Sequence, residues 1–267
     1  MLDRFMVNWE LYPSADFPRL YQVMEPSCYE VVRVIGGRPL FLGEHYARLT
    51  ATAESIGQTL PFSLAELEGH ISRLAEANGV KDYNVKLICN DFHRGWKSYL
   101  FFTPTAYPTA EMYEKGVKTD LLPSVRENPH AKIINQSLRD RADALMAEEG
   151  LYEAVLVNER GEITEGSKSN LFFIRDGVLC TSPADGVLLG VTRQRILRLA
   201  RADGIPVREE IIRADGLSAY RAAFISGTSP KVLPVARMGE RDMDVDDPVL
   251  RRVMALYDEE IRRYLAE

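Results

Sequence analysis

Apolar and polar residues alternate along many short stretches of the 267-residue chain, a period of two that is typical of β-strands. In the first half of the chain this alternation predicts strands over residues 29–35, 38–42, 84–89, 96–103 and 114–124. Gly36 and Gly37, between the first two strands, form a typical two-residue hairpin turn. Apolar residues spaced three and four apart predict helices over residues 44–56 and 64–78. The first half is therefore expected to be an α+β layer.

The first 25 residues show neither period clearly, and we expect them to form an irregular arm laid on the body of the protein. Proline residues break any helix here, at Pro13, Pro18 and, directly after the stretch, Pro26. The regular part of the chain is expected to begin at Cys28.

The second half of the chain is richer in short strand patterns. Strands are predicted over residues 152–157, 162–165, 170–174, 178–181, 207–212 and 222–226. Helices are predicted over residues 137–149, 192–202, 214–220 and about 249–265. Three prolines mark a crossing segment over residues 104–124. We therefore expect a small α+β domain over residues 1–120 and a larger domain over residues 121–267.

Composition narrows the class of protein. Hydrophobic residues make up 46% of the chain, which is ordinary for a globular protein, and the formal charge of −6 argues against a nucleic-acid partner. Three cysteines without a Cys-x-x-Cys pair indicate neither a disulfide framework nor a metal site. Neither a leader peptide nor an apolar stretch of ~18 residues is recognisable, so we expect no membrane partner and a location in the reducing cytoplasm.

The first candidate for chemistry is the carboxylate of Glu165, which lies between two predicted strands. Downstream, Gly190 to Thr192 open the predicted helix over residues 192–202. The N–H groups and the positive dipole end of such a helix suit a phosphate. An acid and a phosphate site together suit a cofactor with a titratable ring and a phosphate tail, for which pyridoxal 5′-phosphate (PLP) is the obvious candidate.

PLP also requires a lysine, and Lys132 is the best candidate for it. It is flanked by Ala131, Ile133 and Ile134, just before the predicted helix over residues 137–149. Apolar neighbours partly desolvate the amine and favour Schiff-base formation. A lysine at an apolar strand end more often extends into solvent, so this assignment depends on the accompanying motifs.

Several blocks of the sequence occur in the order in which fold-type IV PLP enzymes have them, and the chain resembles that family. The blocks are Tyr29 to Val34, Glu44 to Leu49, Ala131 to Gln136, Glu165 to Phe172 with Leu188 to Arg193, and Ile225 to Val235. This is the class IV aminotransferase family, which includes branched-chain and D-amino-acid aminotransferases and aminodeoxychorismate lyase. The resemblance covers roughly residues 28–236.

The resemblance implies an α+β fold of two α/β domains with PLP in the cleft between them, the larger second domain binding the cofactor. It also implies roles for seven residues. Lys132 would carry the Schiff base, Glu165 would pair with the pyridine nitrogen, and Leu188 would pack against the ring. The phosphate would be held by Arg48, Val191, Thr192 and Thr228. A homodimer is implied too, because the relatives place their active sites at a subunit interface.

These residues also have ordinary structural explanations. Glu165 fits a turn, Thr192 fits a helix cap, and Arg48 fits an exposed helix surface, although capping and phosphate binding are compatible. No histidine is assigned a catalytic role, and His45 is expected to bond within the neighbourhood of its own helix. The candidates for contacting a substrate carboxylate are weaker, because each fits a solvated charge or surface group equally well: Tyr29, Arg33, Lys86, His93 and Arg94.

Two departures from the family pattern limit the choice of substrate. Residues 25–28 read Glu-Pro-Ser-Cys where family members usually have a Gly-Asp-Gly type stretch. Ser137 stands five residues after Lys132, where branched-chain enzymes place a tyrosine. The Lys132-x-x-Asn135 block is more similar to the D-amino-acid enzymes and the lyase.

We therefore expect a PLP-dependent aminotransferase that moves an amino group between an amino acid and a 2-oxo acid. The alternative is 4-amino-4-deoxychorismate lyase, which uses the same cofactor for a β-elimination that gives 4-aminobenzoate and pyruvate. A non-catalytic protein that binds PLP or a phosphorylated metabolite without turnover is a third hypothesis. The presence of both Lys132 and Glu165 argues against it.

Overall fold

The structure is a computed structural model, and it describes residues 2–22, 27–90, 95–104, 107–125 and 129–267. The chain forms two compact units. The first contains Met1–Ala106, Ala131–Ile134 and Tyr264–Glu267, and the second contains Tyr107–His130 and Asn135–Arg263. Each unit is thus assembled from separate stretches of sequence, whereas the boundary expected at residue 120 is a single cut.

A six-stranded sheet forms the body of the first unit. Its strands are β1 Arg4–Val7, β2 Glu10–Pro13, β3 Cys28–Ile35, β4 Arg38–Pro39, β5 Tyr83–Asn90 and β6 Lys97–Thr103. They lie in the order β2-β1-β6-β5-β3-β4, and every neighbouring pair is antiparallel. The helices of this unit are the short α1 Phe17–Leu20, α2 Leu42–Ser55 and α3 Leu64–Asn78.

The irregular arm expected over the first 25 residues is wrong for most of that stretch. β1 and β2 form a hairpin, and β1 pairs with β6 through Met6 and Leu100. The hairpin turns at Asn8 and Trp9, which have φ of 48° and 70°. Left-handed residues are what a tight hairpin turn needs, but glycine usually supplies them, so the turn carried no glycine signal.

The predicted strand over residues 38–42 is also wrong in its second half. β4 ends at Pro39, and Phe41 has φ of 55°, which turns the chain into α2 two residues earlier than expected. Leu40, Phe41 and Leu42 are all buried. These residues are therefore apolar because the turn into α2 is buried, and not because they belong to a strand.

The two faces of the first sheet are covered differently. Helices α2 and α3 pack on one face, where Leu49 and Ile71 join Val32, Val85 and Leu100 in a buried core. The other face carries an aromatic cluster of Phe5, Val7, Tyr29, Ile88, Tyr99 and Phe101. Alternation along the strands produces this separation, because successive side chains point to opposite faces. Ile134 packs on the aromatic cluster, which brings the segment 131–134 to this face.

The second unit is built on a ten-stranded sheet. Its strands are β7 Val117–Pro123, β8 Glu153–Val157, β9 Glu162–Gly166, β10 Asn170–Arg175, β11 Val178–Thr181, β12 Val207–Glu209, β13 Ile212–Arg213, β14 Ala222–Gly227, β15 Lys231–Met238 and β16 Arg241–Asp242. The order is β12-β11-β10-β14-β15-β7-β8-β9-β13, with β16 beside β15. β7 runs parallel to both β8 and β15.

Four α-helices accompany this sheet: α4 Ala110–Lys115, α5 Gln136–Glu149, α6 Val191–Ala202 and α7 Pro248–Ala266. Helix α4 was not predicted, and it shortens the strand expected over residues 114–124. Gly116 ends α4 with φ of 75°, and a Cβ atom there would lie 2.8 Å from the backbone nitrogen of Ala236. The strand expected over residues 207–212 is two short strands, and the helix over residues 214–220 is a 3₁₀ helix, Ala214–Ala219.

In the part of the chain that the structure describes, no helix has the length and apolar character needed to cross a lipid bilayer.

Candidate active site

The main chain at Lys132 is held by two elements of the first unit. The N–H of Tyr29, on β3, donates to the carbonyl oxygen of Lys132 at 3.1 Å. The N–H of Lys132 donates to Oγ1 of Thr52, on α2, at 3.3 Å. Ile134 donates to the carbonyl oxygen of Ser27 at 3.2 Å, so residues 132–134 run beside the start of β3. The lysine that the sequence analysis selected therefore has a fixed backbone.

The side chain of Lys132 lies over the ring of Tyr29. Its Nζ atom is 4.6 Å from the ring centroid, and Nζ of Lys86 is 5.2 Å from the same centroid. An ammonium over an aromatic face is attracted by the ring quadrupole. Tyr29 is only 9% exposed, so the ring is a firm wall beside the amine.

Three further residues were predicted to contact a substrate carboxylate. Arg33 lies four residues after Tyr29 on β3, and alternation puts it on the same face of the sheet. It is partly buried. His93 and Arg94 lie outside the described residues.

Arg48 forms a buried ion pair with Glu30. Its Nε donates to Oε1 of Glu30 at 2.7 Å, and its Nη2 donates to Oε2 at 2.8 Å. Glu30 is 2% exposed, and the side chain of Arg48 is 12% exposed. The explanation of Arg48 as an exposed helix arginine is therefore excluded. A bidentate pair fixes the plane of a guanidinium, and this one uses two of its five N–H donors.

His45 completes this cluster, with its Nδ1 2.8 Å from Oε2 of Glu30. The hydrogen-bond partner Glu30 lies on β3 and not on α2 itself. Burial lowers the pKa of His45, and the bond to Glu30 only partly opposes this. Burial would raise the pKa of Glu30, but the charge of Arg48 and the bond from His45 outweigh it and hold that pKa well below its usual range.

Glu165 lies near the end of β9 and is 2% exposed. Oε2 of its carboxylate accepts the N–H of Leu188 at 3.1 Å and Nδ2 of Asn170 at 3.4 Å. The same Nδ2 donates to the carbonyl oxygen of Leu188 at 2.8 Å. The second unit therefore brings three residues of the predicted motifs together around a buried carboxylate.

Gly190 connects this cluster to α6, which begins at the next residue. A Cβ atom at Gly190 would lie 2.1 Å from Oδ1 of Asn170, so only glycine fits. Gly190 also has no side chain to cap the helix, and the first-turn N–H groups of Val191 and Thr192 suit an anion. The hydroxyl of Tyr257, on α7, lies 3.2 Å from Oγ1 of Thr192, with Tyr257 only 2% exposed.

Thr228 lies in the turn that joins β14 to β15. Directly before this turn, Ser226 is paired in register with Asn170 on β10. Ser226 is 1% exposed, and within the described residues its hydroxyl has no hydrogen-bond partner. A buried hydroxyl without a partner is costly, and a bound polar ligand is one way of satisfying it.

These residues are of the kinds that PLP requires. Lys132 offers an amine for the aldehyde, and Glu165 offers a carboxylate for the ring nitrogen. The start of α6, with the hydroxyls of Thr192 and Thr228, offers donors for a phosphate. The orphaned hydroxyl of Ser226 and the close approach at Gly190 fit a ligand in this part of the second unit.

Comparison with known proteins gives the family. The profile of the family described as "Amino-transferase class IV" matches residues 27–238. The chain belongs to the class IV aminotransferase family. This confirms the resemblance that the sequence blocks carried over roughly residues 28–236.

Two relatives illustrate the range of class IV aminotransferases similar to this chain. A probable branched-chain-amino-acid aminotransferase of Thermotoga maritima is 28% identical over 88% of this chain and 85% of its own length. A D-alanine aminotransferase of Listeria monocytogenes is 31% identical over 79% of this chain and 77% of its own length. Among solved structures, the branched-chain amino acid aminotransferase of Thermobaculum terrenum in its PLP form has a TM-score of 0.80 at 20% identity, and the match covers 100% of this chain and 95% of that one.

The expected fold and class of enzyme are confirmed. This class IV aminotransferase has the fold of the fold-type IV enzymes, and its cofactor is PLP. The roles of the individual residues remain predictions.

Two buried residues that bond candidate site residues were missed by sequence reasoning: Glu30, the partner of Arg48, and Tyr257, the partner of Thr192. Glu30 is a buried charge in a strand that is otherwise mostly apolar. A charged residue within an apolar run was the available signal, because a buried charge requires partners. Tyr257 had no such signal, since a tyrosine on the apolar face of a helix is ordinary.

Proposed function

We propose that Lys132 is the lysine that binds PLP covalently and that Glu165 is the carboxylate beside the ring nitrogen. The observation that carries the proposal is the buried carboxylate of Glu165, which accepts hydrogen bonds from Leu188 and Asn170 beside the glycine start of α6. A buried carboxylate with one oxygen held by two donors has a fixed direction, which a partner for a single ring nitrogen needs.

When bound, PLP supplies an electron sink for the electron pair left on the substrate Cα after that carbon loses its proton. Lys132 would move that proton: its Nζ, as a free amine, would take the proton from the substrate Cα and carry it toward the cofactor. The centroid of the Tyr29 ring lies 4.6 Å from Nζ, and this contact limits the motion of the amine. A base with restricted motion returns the proton to a defined position.

Glu165 keeps a proton on the ring nitrogen. Its negative charge stabilises the positive pyridinium, and its partners Leu188 and Asn170 prevent the carboxylate from rotating away. We infer that Leu188 also packs against the ring.

The phosphate is assigned to four residues in two places. In the second unit, Val191 and Thr192 contribute N–H groups at the start of α6. Thr192 and Thr228, the latter in the turn after β14, contribute hydroxyls. In the first unit, Arg48 contributes a positively charged guanidinium group, whose orientation is fixed by its ion pair with Glu30.

The substrate carboxylate is assigned to the face of the first sheet that carries Tyr29 and Arg33. The relatives named above act, by their names, on branched-chain amino acids and on D-alanine. We propose an amino donor of this class, a monocarboxylic amino acid with an apolar side chain. Such a donor requires one cationic contact for its carboxylate and apolar walls elsewhere.

We also propose that the enzyme is a homodimer with two-fold symmetry, the commonest closed assembly of soluble oligomers. Light scattering of the purified holoenzyme checks this, and a fully active monomer would contradict it. The cytoplasmic location remains a prediction.

The experiment for the proposed function is borohydride reduction of the holoenzyme followed by peptide mapping. The PLP label is expected on Lys132, and a label on Lys168 or Lys231 would remove Lys132 from its role. In a separate experiment, unreduced holoenzyme is loaded with branched-chain amino acids or D-alanine, and the absorbance of its cofactor is followed. Conversion of the cofactor to its amine form, reversed by a 2-oxo acid, supports the aminotransferase. Release of pyruvate from aminodeoxychorismate without an acceptor supports the lyase instead.

A further inference from the structure

A second buried carboxylate lies in the second unit, and the proposed chemistry does not use it. Glu153 is the first residue of β8 and is 3% exposed. Its Oε1 accepts the hydroxyl of Ser167 at 2.6 Å and the N–H groups of Ser167 and Ala154 at 3.1 and 3.0 Å. Its Oε2 accepts the hydroxyl of Ser169 at 2.7 Å and the N–H of Lys168 at 3.3 Å.

Most of these donors belong to residues 167–169, the turn between β9 and β10. The turn is closed by its own backbone, because the N–H of Gly166 donates to the carbonyl oxygen of Ser169 at 2.8 Å. It is packed tightly on the carboxylate. A Cβ atom at Gly166 would lie 2.2 Å from Oγ of Ser169 and 3.0 Å from Cδ of Glu153. The turn therefore packs closely around the carboxylate of Glu153, so that a movement of the carboxylate requires a movement of the turn.

The residues on either side of this turn are Glu165 and Asn170. Glu165 directly precedes Gly166, and Asn170 directly follows Ser169. Both side chains meet at Leu188. The geometry of the turn therefore sets the direction in which the Glu165 carboxylate points.

Glu153 is built into the turn by charge as well as by shape. Hydrogen bonds to an ionised acceptor are about twice as strong as neutral ones, and in a buried place they are not shared with water. A neutral amide at this position accepts through one oxygen only, and its NH₂ group faces donors. Replacing the carboxylate should therefore loosen residues 167–169 on one side while keeping the volume of the side chain.

We propose that Glu153 is a positioning residue, which through the 166–169 turn orients the Glu165 carboxylate toward the ring nitrogen of PLP. This inference rests on the proposed role of Glu165. Glu153 does not itself touch the cofactor, and its effect passes through Ser167, Ser169 and the backbone of the turn.

The test compares Glu153→Gln with Glu162→Gln in the purified holoenzyme. Glu162 is a matched control, because it begins β9 and accepts hydrogen bonds from Asn158 and Arg160 at the opposite end of that strand. Two quantities are measured: the pH midpoint of the visible absorbance of the bound cofactor, and the rate of the half-reaction with an amino donor. The thermal unfolding temperature of each variant is recorded beside them.

Glu153→Gln is expected to retain PLP and to move the absorbance midpoint to higher pH. The positive charge on a protonated ring nitrogen repels the proton on the nitrogen that joins Lys132 to PLP. When the ring nitrogen holds its proton less firmly, this repulsion is weaker, and the proton on the linking nitrogen is lost only at higher pH. The maximal rate should fall about 10- to 100-fold with little change in KM, the usual size of effect for an outer partner of an active-site group. Glu162→Gln should leave both quantities unchanged.

A lower unfolding temperature with an unchanged midpoint and rate would overturn the proposal and leave Glu153 a purely structural residue. If Glu153→Gln does not fold, Ser167→Ala and Ser169→Ala each remove one donor and keep the carboxylate. A shift of the midpoint in the same direction in these variants supports the proposal, and its absence in both overturns it.

Glu165→Gln separates this inference from the proposed function. If Glu165→Gln leaves the midpoint unchanged, the role of Glu165 fails and the inference fails with it. If Glu165→Gln shifts the midpoint but Glu153→Gln does not, only the positioning role fails. The double variant should shift the midpoint no further than Glu165→Gln alone, because residues that act through one another are not additive.

Discussion

Asn170 occupies the space that a side chain at residue 190 would need: a Cβ atom on Gly190 would lie 2.1 Å from Oδ1 of Asn170. The same amide bonds Leu188 and Glu165. One side chain thereby links the buried carboxylate to the start of α6, and the glycine permits the approach.

Gly190→Ala is expected to weaken PLP binding about tenfold or more and to destabilise the protein by about 1–3 kcal/mol, the usual cost of overpacking. Either Asn170 or the start of α6 must move, and both belong to the predicted cofactor site. Absorbance titration with PLP and thermal unfolding measure the two effects. Gly186→Ala is the control, since a Cβ atom there meets nothing within 4 Å. Equal PLP affinity in both variants would place the phosphate site elsewhere.

Lys132→Ala should abolish covalent attachment of PLP and lower the turnover by roughly 10³-fold or more, since the variant loses both the attachment and the base. Mass spectrometry after borohydride reduction detects the attachment, and a coupled assay measures turnover. Lys168→Ala provides the comparison, because the amine of Lys168 is paired at 2.5 Å with Asp143, and both side chains are exposed. Retained labelling in Lys132→Ala would refute the assignment.

Tyr257→Phe should raise the dissociation constant of PLP about two- to tenfold, since one hydrogen bond contributes about 0.5–1.5 kcal/mol. The lost bond is the one between the Tyr257 hydroxyl and Oγ1 of Thr192. Tyr220→Phe removes a hydroxyl that donates to Glu210 at 3.0 Å and should leave PLP affinity unchanged. If the two variants bind PLP alike, the hydroxyl of Thr192 does not hold the phosphate.

Protein stability should fall as the pH is lowered from 7 to 5, with His45 as one cause. Burial lowers the pKa of His45 below its usual 6.5. The unfolded chain therefore gains a proton in this range that the folded protein does not, and protonation favours unfolding. His45→Gln keeps a group that can bond Glu30 but does not titrate, so its unfolding temperature should decline less steeply. His70→Gln is measured beside it, because burial also lowers the pKa of His70 and the same argument gives a less steep decline for that variant. Parallel curves for the wild type and His45→Gln would contradict the prediction.

The elements that could be predicted with correct bounds are those whose ends are set by neighbouring residues in the sequence. Helix α3 was predicted with its observed bounds from the spacing of its apolar residues. The structure shows that local residues set those bounds, since Ser63 and Glu66 form a capping box and Gly79 ends the helix with φ of 63°. β15 was not predicted as a strand. Pro234 lies in its interior, and proline usually argues against a central strand. The hairpin at Asn8 and Trp9 was missed because non-glycine residues took left-handed conformations.

In the candidate site, too, the residues that stand in local sequence motifs could be predicted, whereas those that contact them from distant positions could not. Glu165, Thr192 and Lys132 stand in local motifs, so their positions could be predicted. The residues that hold them come from distant parts of the sequence: the Tyr257 hydroxyl reaches Thr192 across 65 positions, and Lys132 meets Thr52 across 80. No local pattern encodes such a contact, because it exists only once the sheets have formed.

The way the first unit is assembled from separate stretches also has a consequence for its synthesis on the ribosome. Tyr29 acquires its backbone partner, Lys132, only after about a hundred further residues have emerged, at a typical pace of roughly 5–20 residues per second. Arg38 waits longer still, since its Nη1 donates to the carbonyl oxygen of Leu265, 227 positions later. A truncated transcript would therefore yield a nascent chain whose first sheet lacks its closing contacts and, if it stops before residue 132, also the amine that we propose binds PLP.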